Sequence, residues 1–163
     1  MTGELIHDAA RIIAVNGDDL RTAFEWVSAG TPSENAAYVS IESGRIYWTS
    51  IANDMEEDDL PEDLEDASLY IAVPHKNDLD LGSRLVLRFV ARELPDDYGA
   101  VADFFRRRRA YARFKDLLHR RRALQRWYDF EERATEEALL AWCAQNGIRC
   151  VAEQPVGPGV PEA

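Results

Sequence analysis

Apolar positions along this chain recur at two periods, and the change between them divides it. Leu5, Ile6, Ala9, Ile12 and Ile13 fall at helical spacing, and Leu20, Ala23, Phe24 and Val27 repeat the pattern after Asn16-Gly17, with Asp18 as the capping candidate. Two short helices are predicted. From Ala37 the period drops to two: Ala37, Val39 and Ile41 alternate with Tyr38, Ser40 and Glu42, and the run Arg45–Ile51 beyond Ser43-Gly44 is rich in β-formers. That is a hairpin, with glycine where the turn needs a positive φ. Leu69, Ile71 and Val73 alternate with Ser68, Tyr70 and Ala72 until Pro74 stops the run, giving a third strand.

The second half returns to helical spacing. Leu81, Leu85, Val86, Phe89 and Val90 mark a helix entered near Asn77 or Asp78 and left before Pro95. Asp96 and Asp97 stand where they would cap a helix holding Val101, Phe104 and Phe105, and Tyr111, Phe114, Leu117 and Leu118 continue the stripe. From Ala123, the positions Trp127, Phe130, Ala134, Ala138, Leu139 and Trp142 predict one long helix stopped by Asn146-Gly147, with Ile148–Val151 as a short edge strand. The predicted fold is α+β: a small antiparallel sheet of three or four strands packed against several helices, the long C-terminal helix supporting it. Residues 1–152 form one globular domain in this reading, and the proline- and glycine-rich residues 153–163 a mobile tail.

Composition narrows the chemistry. At 163 residues with 46% hydrophobic side chains, the chain is long enough for a core. It shows no apolar leader, no membrane-length apolar run and no lipidation signal, so a cytoplasmic protein away from membranes is expected. Cys143 and Cys150 match no zinc or redox-motif spacing and are expected as buried, reduced thiols. His7, His75 and His119 stand in separate contexts, and His75, after the strand-ending Pro74, is expected as an exposed polar residue. Nine carboxylates between Asn53 and Asp66 read as a solvated linker; a counter-charge for a partner or for the chain itself is the other reading, and a calcium loop lacks its alternating acids and central glycine. No catalytic residues, metal ligands or cofactor fingerprint stand out, and a non-enzymatic protein is expected.

Charge gives the one conspicuous surface. Against a net charge of -11, ten of the 19 basic residues fall between Val101 and Arg126 with only Asp103 and Asp116 as acids, so this window carries +8 and the remainder -19. Arg106, Arg107, Arg108 and Arg109 would point to all sides of a helical turn, and Arg113, Lys115, Arg120, Arg121, Arg122 and Arg126 extend the charge. Guanidinium groups donate in bidentate fashion to carboxylates and phosphates. The same side chains could instead lie over Phe104, Phe105 and Trp127 while pairing with the acids of the Asn53–Asp66 segment. Phe114, Trp127, Phe130 and Trp142 sit at core spacing, Tyr128 one step off it and so free to join a surface, and Trp48 serves either sheet-to-helix packing or an interaction face. A regulatory or adaptor protein that binds another protein through the basic face is the first reading, and an RNA- or DNA-binding module the alternative. Oligomeric state stays open.

The hairpin Val39–Ile46, the strand Tyr70–Pro74, the block Ala110–Asp116 with Leu118, and Trp127-Tyr128 with Phe130 together resemble the bacterial uncharacterised protein family 0158, over roughly Leu20–Ile148. The resemblance implies a small bacterial cytoplasmic protein and no assigned activity. Two departures stand out: members commonly carry an acid where this chain has Ser40, and a glycine-containing turn where Arg108 and Arg109 precede Ala110.

Overall fold

The structure, a computed structural model, describes residues 12–51 and 60–152. It divides into two compact units: Met1–His75 with Leu139–Ala163, and Lys76–Ala138. In chain order the elements are β1 (Ile13–Asn16), α1 (Gly17–Ala29), β2 (Asn35–Ser40), β3 (Ile46–Ser50), β4 (Tyr70–Ala72), α2 (Ser83–Glu93), α3 (Tyr98–Phe104), α4 (Ala110–Arg120), α5 (Leu124–Gln145) and β5 (Ile148–Val151), with 3₁₀ turns at Lys76–Leu79 and Pro95–Asp97. The fold is α+β, with a long α5.

In the first unit β2 is the centre of a three-stranded antiparallel sheet ordered β3-β2-β4, with Ala37 opposite Trp48 and Val39 opposite both Ile46 and Ile71. The predicted hairpin is present, and Gly44 turns it at φ +75°; an added Cβ would also collide with the carbonyl oxygen of Ala14. α1 packs on β2 and β3 through Leu20, Ala23, Phe24 and Val27, all buried. Trp26 donates its indole N–H to the Thr49 carbonyl at 3.2 Å and meets Trp48 edge-on, which places Trp48 in sheet-to-helix packing.

Three expectations change here. Ile13 belongs to a strand: β1 pairs in parallel with β5, Ile13 opposite Ile148 and Val15 opposite Cys150, so the expected first helix does not run on to Ile13, and Leu5, Ile6 and Ala9 lie outside the described residues. The cap of α1 is Asn16, whose side chain accepts from the Asp19 N–H at 2.9 Å, two residues earlier than an Asp18 cap would start the helix. His75 is buried at 5% exposure, and its Nε2 lies 2.9 Å from the Gly30 carbonyl, a bond that requires the ring proton on that nitrogen. Of the acidic stretch, residues 60–66 form turns with Leu64 buried, and residues 52–59 lie outside the described residues, as does the expected tail 153–163.

The second unit is helical. Phe89, Phe114 and Trp127 are almost wholly buried and meet at ring-centroid distances of 5.0–5.3 Å, with Phe130 against both Phe89 and Trp127. The helically spaced aromatics Phe114 and Trp127 are therefore core. Tyr128, off the stripe, stays 40% exposed. α2 starts at Ser83, later than Asn77 or Asp78, because those residues form a 3₁₀ turn first. Asp97 makes no capping bond to α3; its carboxylate is engaged by Arg121 instead.

Candidate anion-binding face

The arginine run Arg106–Arg109 is not helical. α3 ends at Phe104, and the chain tightens through Arg106 N–H to Asp103 C=O and Arg107 N–H to Phe104 C=O, reaching a left-handed Arg109 at φ +61° before α4 begins. Four arginines are individually good helix formers, but the residues around them must be redirected between the buried Val101 and the buried Phe114. The Arg109 backbone adopts the left-handed conformation that glycine favours. The buried Ser40 accepts the Ser43 N–H through Oγ at 3.2 Å, a bond that an acidic side chain would make as well.

α4 ends symmetrically to its start. The Arg122 N–H bonds the His119 carbonyl and the Ala123 N–H bonds the Leu118 carbonyl, with Arg122 at φ +53° and both Leu118 and Ala123 fully buried. This is a helix stop of the Schellman type with arginine in the position that glycine usually takes.

The expected site residues divide by partner. Arg121 makes a two-pronged bond to Asp97, Nε to Oδ2 at 2.9 Å and Nη2 to Oδ1 at 2.8 Å. Those guanidinium bonds hold the Asp97 carboxyl below the usual carboxylate range, and the same pair raises Arg121 further. Arg107 pairs with Asp103 at 3.3 Å and Arg126 with Glu93 at 3.4 Å. These partners are local acids of the helical unit. Arg106, Arg108, Arg109, Arg113, Lys115, Arg120 and Arg122 are exposed and carry no ion pair among the described residues. Tyr111 and Tyr128 lie exposed among them, Tyr111 beneath the Lys76 ammonium at 5.0 Å. Burial first, then the Glu131 carboxylate, raises the Tyr111 phenol above its ordinary pKa, so it stays a neutral donor.

A second cluster was not singled out in the sequence. Arg88 and Arg92, one turn apart on α2, and Arg133 on α5 line a groove of about 480 Å³ with Phe130, Ala134 and Glu137. None of the three arginines has an ion-pair partner among the described residues. Phe130, held against Phe89 and Trp127, gives the groove an aromatic wall. The available signal was spacing: Arg84, Arg88 and Arg92 follow every four residues on one helix. Bringing Arg133 to them takes the packing of α2 on α5 through Phe89 and Phe130.

Together these features concentrate charge. Lys76–Ala138 holds 15 of the 19 basic residues and 12 of the 30 acids, a net +3, while the rest of the chain carries -14. Among the described residues no group of three His, Cys, Asp or Glu side chains is placed to hold a metal ion, and no helix is long and apolar enough to cross a membrane. The arrangement suits carboxylates or phosphates held by several arginines, with aromatic surface beside them. A family model described as Uncharacterised protein family (UPF0158) matches residues 22–160, twelve residues further than the resemblance read from the motifs. No curated protein and no solved structure matches the chain.

Proposed function

The chain belongs to the uncharacterised protein family UPF0158, and from that premise we propose that it is a non-enzymatic bacterial adaptor of the cytoplasm that binds an acidic segment of a partner protein through the basic face of residues 76–138. The observation that carries this reading is the groove in which Arg88, Arg92 and Arg133 stand around Phe130 with no ion partner among the described residues. Unpaired guanidinium groups beside an aromatic wall suit a carboxylate-rich segment with an apolar anchor, and arginine with tyrosine is the composition of strongly contributing interface residues. Electrostatic complementarity of this kind speeds encounter and selects the partner.

Charge favours a protein segment over nucleic acid. A duplex carries one charge about every 1.7 Å of its axis and extends well beyond a local patch. A short acidic peptide needs only the patch. The free thiols of Cys143 and Cys150 suit a reducing compartment.

The test is fluorescence anisotropy with three labelled probes: a peptide of alternating acidic and aromatic residues, random single-stranded RNA, and random duplex DNA, each over a range of salt. The expected result is peptide binding that is lost when Arg88, Arg92 and Arg133 are all changed to Glu. Binding of RNA or DNA but not peptide, with a log-log salt slope of about -0.9 per duplex phosphate contacted, would replace this reading with the nucleic-acid one.

A further inference from the structure

Cys143 and Cys150 were expected as buried, reduced thiols, and the fold brings the two together as a pair. Cys143 lies near the end of α5 and is 2% exposed; Cys150 lies in β5 and is half-buried. Their sulfurs are 3.0 Å apart, in thiol–thiol contact, and both are free. A disulfide needs about 2.05 Å between sulfurs, so an approach of about 1 Å would join them.

The elements on both sides fix that approach. The chain reverses between the cysteines at Asn146-Gly147, where the Asn146 N–H bonds the carbonyls of Trp142 and Cys143, the Asn146 side chain donates to the Trp142 carbonyl at 2.8 Å, and Gly147 turns at φ +67°. The Ile13 N–H then bonds the Gly147 carbonyl, and β5 is registered on β1 with Cys150 opposite Val15. Little chain freedom remains to be lost on closure, which is the condition for a high effective concentration of one group at another.

We propose that Cys143 and Cys150 form an oxidisable dithiol site, closed to an intramolecular disulfide by a hydroperoxide. Cys150, the more accessible sulfur, attacks the terminal peroxide oxygen as its thiolate: an S–O bond forms, the O–O bond breaks, and the departing hydroxide or alkoxide takes up the proton released by the thiol. Cys143 then attacks the sulfenic sulfur; the S–S bond forms, the S–O bond breaks, and hydroxide leaves with the Cys143 proton as water. Two thiols lose two electrons, and the hydroperoxide is reduced to water and its alcohol, or to two waters when it is hydrogen peroxide. Burial, with the Cys150 contact adding to it, pushes the Cys143 thiol up to about 12, which keeps it protonated and leaves the first attack on peroxide to Cys150; the 3.0 Å contact between the sulfurs is what brings Cys143 to the second step.

The experiment treats the purified full chain with a modest excess of hydrogen peroxide, alkylates what remains free, and reads intact mass and non-reduced peptide maps. The expected species has lost two hydrogens, takes up no alkylating agent, yields a Cys143–Cys150 linked peptide, and recovers both thiols with dithiothreitol. In Cys143→Ser, Cys150 should instead accumulate as a sulfenic acid trapped by dimedone. Wild-type protein that keeps both thiols alkylatable, or that accumulates the Cys150 sulfenic acid without forming the linked peptide, would overturn the proposal without reference to how the variant folds.

Discussion

Two arginines bracket α4 in left-handed conformations, and Arg122 offers the cleaner measurement because its hydrogen bonds define the helix stop. A residue with a side chain in this region costs roughly 1–2 kcal/mol relative to right-handed backbone, a cost that glycine largely escapes. Glycine loses about 0.4–1 kcal/mol of that advantage through its freer unfolded chain. Arg122→Gly should therefore be about 0.5–1 kcal/mol more stable than Arg122→Ala. Comparing these two variants cancels the charge, since both remove a guanidinium next to Arg120 and Arg121. With a urea dependence of about 2 kcal/mol per molar, the midpoints should separate by roughly 0.3–0.5 M. The separation should persist in high salt, because it is steric, whereas any shift of Arg122→Ala from wild type through relief of like-charge repulsion should shrink as salt screens it. Equal midpoints for the two variants, or a gap that salt abolishes, would refute the assignment of strain to this backbone.

Two further outcomes test the helical unit. Phe89→Ala removes a fully buried ring that touches both Trp127 and Phe130, and should cost about 3–5 kcal/mol in urea unfolding. Asp97 bonded to Arg121 has its pKa lowered in the folded state, so the stabilisation is complete above the unfolded aspartate value and is lost as pH falls through the lower folded value. Wild type should thus melt above Asp97→Asn at neutral pH, with the gap closing in that acidic window; a gap that stays constant on acidification would assign the effect to something other than the ion pair.

The legible parts of this fold were those with local causes. The hairpin follows from alternation plus a glycine at the turn, and α5 from a sustained apolar stripe ended by Asn146-Gly147. β1 was hidden because its first residue, Ile13, continues an apolar spacing that suits a helix, while the partner that makes it a strand lies at Ile148–Val151. The arginine turn was hidden for a different reason: no glycine announces it, and its left-handed position is held by Arg109 among four consecutive helix formers. Of the candidate site, the charge of Arg106–Arg126 could be counted from sequence, but the bonds that draw Arg107, Arg121 and Arg126 to neighbouring acids could not. Arg88, Arg92 and Arg133 become a group only when two helices 31 residues apart, from Glu93 to Leu124, are brought together by an aromatic contact.

The parallel pairing of β1 with β5 sets an order of events during synthesis. Lys76–Ala138 is one continuous stretch, so its contacts can close as soon as it has left the ribosome. β1 has to wait: Ile13 meets its partner only when Ile148 has emerged, after the whole helical stretch has been made. Through that interval the apolar Ile13 and Val15 present an unpaired strand edge, which is the kind of surface chaperones retain and neighbouring nascent chains capture. Growth conditions that slow elongation lengthen this exposure, which runs from the emergence of β1 until Ile148 follows it.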